Sequence, residues 1–151
     1  MNDEEFLTGF EACTLTRSEW THEAHLRMAW LYLTRLPWEL ALERVRLGIQ
    51  QLNATFRKDQ PQLPDGYHDT ITVAFVRLVV AQLRHNDTFD TFRSRNPELF
   101  DRTLTALRQY YSKERLSSDA ARRNFIEPDV RKLPEFKTSP EANPQTEDRE
   151  R

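Results

Sequence analysis

His22 and His25 stand three residues apart in Trp20-Thr21-His22-Glu23-Ala24-His25-Leu26, and a third imidazole, His68, lies in Gly66-Tyr67-His68-Asp69-Thr70. Residues at i and i+3 of a helix are neighbours, so His22 and His25 can share one ligand. Neutral imidazole is the commonest protein donor to zinc, iron, copper and nickel. Three protein donors leave an open position for water or substrate, the plan of a catalytic metal site. The expectation is one transition-metal ion, zinc, iron, copper or nickel, held by His22, His25 and His68. Tyr67, Asp69, Tyr111 and Arg115 are the candidate catalytic residues, placing substrate or moving protons. Asp69, Tyr111 and Thr72 are also candidates to orient the rings. The resulting reading is a metal-dependent enzyme acting on a small molecule, hydrolytic with zinc and oxidative with iron or copper.

His-Glu-x-His is not the zincin pattern His-Glu-x-x-His, whose histidines stand at i and i+4. Glu19-x-x-His22 and Asp65-x-x-His68 echo the carboxylate-x-x-His pairs of dinuclear iron bundles, but the bridging glutamates are not apparent. A non-catalytic module stands beside the enzyme reading. It would bind an anionic small molecule through Arg115 and Arg122, or a protein through an exposed aromatic end. Its histidines would then form a structural, hydrogen-bonded cluster. Arg123 is expected to pair with Asp119, Glu127 or Asp129. His85 is expected to place its charge at a helix end. Of the three tryptophans, Trp20 has the best claim to line a pocket, while Trp30 and Trp38 read as packing anchors.

These residues need elements to position them. Phe6, Leu7 and Phe10 mark a short first helix over 3–13. Ser18 or Thr21 can cap a second over 19–36. Its stripe is His22, His25, Leu26, Ala29, Leu33 and Leu36. Pro37 closes it and opens a third over 38–56, striped by Trp38, Leu42, Val45, Ile49, Leu52 and Phe56. Arg44 and Arg46 fall on the solvent face of that helix. Pro61 and Pro64 hold 57–65 as a loop. A fourth helix over 67–85 is apolar nearly all round, which makes it central. One helical turn is expected around Phe89 and Phe92. Phe100, Leu104, Leu107 and Tyr111 share a face of a helix over 97–111. Ser118 or Asp119 caps a last short helix.

The fold expected is all-α, an up-down helical bundle of about four main helices with short terminal helices. Short connections make successive helices antiparallel. The starts of the second and fourth helices then lie at one end, with the end of the Pro97 helix and the loop over 57–65. His22, His25, His68, Tyr111 and Arg115 converge there.

At 151 residues the chain reads as a single helical domain over 1–133, followed by a disordered polar tail over 134–151. Apolar runs broken by charge exclude a membrane span. A net charge of −2 offers no electrostatic case for nucleic acid or an acidic membrane. The acidic start, Asn2-Asp3-Glu4-Glu5, is neither a secretory signal nor a transit peptide, so a cytoplasmic location is expected. Cys13 is the single cysteine, which excludes an intramolecular disulfide. The expected partner is a small-molecule ligand or substrate.

Three groups of residues carry a resemblance. They are Trp20, Thr21, His22, His25 and Leu26; Gly66 through Thr70 with Thr72; and Tyr110, Tyr111, Ser112, Arg115, Leu116, Ser118, Ala121 and Arg122 followed by Pro128 and Asp129. With them the chain, up to about Leu133, resembles a family of small bacterial proteins usually labelled uncharacterised. The resemblance implies that these residues belong together. It carries no activity with it.

Overall fold

Side-chain caps open most of the described helices of this protein. In the structure, a computed structural model that describes residues 1–136, Asn2 and Glu5 form a reciprocal capping box that opens α1, Asp3–Glu11. Thr21 accepts the Ala24 N–H and opens α2, His22–Arg35. α3 is Trp38–Arg57 and α4 is Asp69–Ala81. Thr88 caps α5, Phe89–Arg95. A 3-10 helix, Pro97–Phe100, and three short helices follow: α6 Thr105–Arg108, α7 Lys113–Leu116 and α8 Asp119–Arg123. Ser118 caps α8. The described residues are all helical or irregular, with no strand. Among them, no helix is long and apolar enough to cross a membrane.

α2 and α4 form the centre. α2 buries Leu26, Met28, Ala29, Trp30, Leu31 and Leu33, and α4 buries Val73, Ala74, Phe75, Val76, Leu78 and Val79. α4 packs against α2, α3, α6 and α8. That explains an apolar surface wider than one stripe. α3 contributes Ala41, Val45, Ile49 and Leu52. α1 lies against α3, where the Phe10 ring sits over Gly48 so closely that a Cβ at Gly48 would overlap it.

Three helices differ most from expectation. The second opens at His22, not at residue 19, because Thr21 is its cap. The fourth begins at Asp69 because His68 is its cap: the His68 Nδ1 accepts the Ile71 N–H at 3.1 Å. The helix expected over 97–111 is broken. Asp101 accepts from the Thr103 N–H (2.9 Å), the Thr103 hydroxyl (2.7 Å) and the Thr105 hydroxyl (3.0 Å). Side-chain bonds of this kind compete with the helix ladder. Leu104 then adopts a left-handed φ of 63°.

After α8 the chain continues as an irregular segment that runs back over the helices. Leu133 is buried, and the Phe136 ring lies 4.6 Å from that of Trp38. The tail expected from residue 134 falls, from 137 onward, outside the described residues.

Candidate functional site

Two groups of polar residues occupy the region where one was expected, and they differ in how their atoms are spent. The first group surrounds the returning segment. His68 Nε2 donates to the Leu116 carbonyl at 2.7 Å. Since Nδ1 already accepts the Ile71 N–H, both ring nitrogens are engaged, which fixes a neutral ring with its proton on Nε2. Thr70, fully buried, donates to the Asn124 carbonyl (2.9 Å) and accepts the Ile126 N–H (3.1 Å). The Tyr111 hydroxyl donates to the Ile126 carbonyl at 2.7 Å, and burial pushes that phenol up to about 12. Arg115 Nε donates to the Glu127 carbonyl at 2.6 Å. Asp129 accepts from the Ser112 N–H and hydroxyl at 2.8 and 2.6 Å, which holds its carboxyl below the usual carboxylate range. This group is a clasp whose bonds go mainly to the backbone of residues 116–129. Of the residues that carry the resemblance, His68, Thr70, Tyr111, Ser112, Arg115 and Asp129 meet here, whereas Trp20, His22 and His25 do not.

Asp69 and Tyr67 adjoin the clasp. Arg46 Nε and a terminal nitrogen each donate to a different oxygen of the largely buried Asp69 carboxylate at 3.0 Å. The Tyr67 hydroxyl donates to the same carboxylate at 2.5 Å. Burial, then the bond to Asp69, raises the phenol well above its ordinary range. Arg46, expected on the solvent face of α3, turns instead to α4. Arg122 and Arg123 are exposed, and Arg123 has no ion-pair partner among the described residues.

The second group lines a cavity of about 850 Å³, within the span of roughly 300–1,000 Å³ usual for small-molecule pockets. α2 supplies His22, His25, Leu26 and Ala29. α3 supplies Val45 and Ile49, and α4 supplies Ile71, Thr72, Phe75 and Val76. The broken segment crosses over with Phe100, Arg102 and Leu104, while Arg17, Trp20 and Glu23 complete the rim. None of the four candidate catalytic residues, Tyr67, Asp69, Tyr111 and Arg115, lines it.

Each histidine here keeps one nitrogen free. His22 Nε2 donates to the Leu99 carbonyl at 2.8 Å, leaving Nδ1 as an acceptor without a partner among the described residues. Its ring meets Phe75 edge-on, 5.4 Å between centroids. His25 Nδ1 donates to the Thr21 carbonyl at 2.7 Å, leaving Nε2 likewise free. The proton positions are assigned from these acceptors. Trp20 stacks on His25 at 3.8 Å, and its buried indole N–H has no partner among the described residues. Burial lowers His25 from the ordinary 6.5 to about 4; the bond to Thr21 opposes this and the neighbouring His22 adds to it. A base this weak removes protons poorly at neutral pH. It is well suited to accepting a hydrogen bond.

The three-histidine metal site is overturned. Among the described residues no group of three or more His, Cys, Asp or Glu side chains could hold a metal ion. His22 and His25 share the cavity wall, but His68 spends both nitrogens on the backbone and stands outside that wall. The reading as a metal-dependent enzyme with a transition-metal cofactor loses its donor set.

Sequence reasoning missed Phe75, Phe100, Arg102 and Leu104 as cavity residues. Phe75 was indistinguishable from the other apolar residues of α4. The spacing Asp101-x-Thr103-x-Thr105 was the available sign that the helix expected over 97–111 breaks.

No family model, no curated protein and no solved structure matches the chain.

Proposed function

We propose that this protein binds a small, mainly apolar molecule in the cavity between α2, α3 and α4. The single observation that carries the reading is the pair of unpartnered imidazole nitrogens, His22 Nδ1 and His25 Nε2, set in an apolar wall beside an unpartnered Trp20 N–H. Of these three groups the Trp20 N–H is the buried one, and a buried polar group without a partner calls for an explanation. A ligand bearing a hydroxyl or amine would supply the missing bonds while its apolar body covers Ile49, Phe75 and Phe100. Convergent polar groups in an apolar pocket are the usual composition of a ligand site. The up-down order of α2, α3 and α4 belongs to the same reading: it accounts for the starts of α2 and α4 both bordering the cavity.

Titration of the isotope-labelled protein with octanol, followed by amide NMR, tests this. The expected result is saturable shifts confined to residues 22–29, 71–76 and 100–104, with the clasp residues unmoved. Shifts absent, or scattered over the surface without saturation, would remove the reading.

A further inference from the structure

The rim of the cavity carries an imbalance of charge that its walls do not. Two arginines, Arg17 and Arg102, and one carboxylate, Glu23, line it. Glu23 is already paired with Arg93 at 3.0 Å. Arg17 donates to the Phe56 carbonyl at 2.6 Å and lies over the Phe56 ring, so its place is fixed while its charge has no ion-pair partner among the described residues. Arg102 is exposed and has neither hydrogen-bond nor ion-pair partner among the described residues. The adjacent carboxylate, Asp101, accepts from the amide and hydroxyl of Thr103 and the hydroxyl of Thr105 and lies within electrostatic reach of His22, so it offsets one of the two arginine charges. An apolar chamber thus opens past a cationic rim.

We infer that the ligand is an amphipathic carboxylate, an apolar body with one acid group, whose acid is met by Arg102 at the rim. This rests on the binding reading above. Guanidinium meets carboxylate through paired N–H donors. The free nitrogens of His22 and His25 are acceptors and repel a carboxylate, so the acid stays at the rim and the tail enters. A hydroxyl farther along the body would reach the imidazoles. A cationic amphiphile would meet the arginines and bind worst.

Three probes of equal chain length, octanoate, octanol and octylammonium, distinguish the parts of this inference when titrated by calorimetry into the full chain at neutral pH. Octanoate is expected to bind about fivefold tighter than octanol, as an ion pair at an exposed rim allows, and octylammonium weaker than both. Arg102→Gln, an exposed change that leaves the fold intact by circular dichroism, should abolish the octanoate advantage and spare octanol. Raising the salt concentration should shrink the advantage in the parent protein. Octanol binding as tightly as octanoate, or an octanoate advantage indifferent to Arg102→Gln, would overturn the acid assignment while leaving the cavity reading in place. Failure of all three probes to bind would overturn both.

Discussion

The indole of Trp20 lies on the imidazole of His25, 3.8 Å between ring centroids with 28° between planes. The stack withdraws His25 from water, and burial is the chief reason its affinity for a proton falls from the ordinary 6.5 to about 4. The sign of the consequence follows from linkage. Unfolded, His25 takes up its proton near 6.5; folded, it does so only near 4. Between those values the unfolded state holds more protons, so stability falls as pH falls. Its contribution is complete above about 6.5 and lost by about 4, with a size on the order of 3 kcal/mol. Imidazole NMR titration is expected to place the midpoint near 4, and His25→Phe should flatten this part of the pH–stability curve. A midpoint near 6.5 would contradict the burial of the ring.

His68 gives the contrasting case. Because both its nitrogens bond backbone groups, His68→Gln should cost about 1–2 kcal/mol in urea unfolding. Octanol affinity should not change, since His68 stands outside the cavity wall. Lost affinity at unchanged stability would return His68 to the ligand site.

Asp69→Asn removes the charge that Arg46 and Tyr67 share. The carboxylate is largely buried, while Arg46 is about one-third exposed. Solvent therefore softens the loss to about 1–3 kcal/mol. Chemical denaturation checks this, and a neutral result would mean that the pair is not formed in solution.

Gly48→Ala tests the seat of α1. Its new methyl would overlap the Phe10 ring, which is itself buried. Ala normally favours a helix over Gly by up to about 1 kcal/mol. Here the overlap should reverse the sign, for a net loss of about 1–3 kcal/mol. A gain in Tm would show that α1 docks differently.

The caps and stripes made much of the fold legible in the sequence. Thr21 and Ser118 open helices as their spacing indicated, and the apolar breadth of the fourth helix marked it as central. The spacing of His22 and His25 placed both on one wall. His68 misled because a histidine can cap a helix, and one position decides whether its ring projects from the first turn or folds back on the amides. Phe100, Leu104, Leu107 and Tyr111 keep helical spacing, yet the bonds of Asp101 to Thr103 and Thr105 break the helix they suggest. Arg46 looked solvated because a single helix gives no view of the carboxylate on its neighbour. The clasp was not legible, because bonds to distant backbone leave no mark in side-chain spacing.

The most direct test of the central claim is fluorescence titration with N-phenylnaphthylamine, a neutral apolar dye that brightens in a dry pocket, against the parent protein and Ala29→Phe. Ala29 lies on the cavity wall, and the added ring would occupy the space a ligand needs. The expected result is saturable, one-to-one enhancement in the parent that is lost in the variant, with both proteins shown to be folded by their Tm. Equal enhancement in both, or none in the parent, would contradict a ligand-binding cavity at His22 and His25.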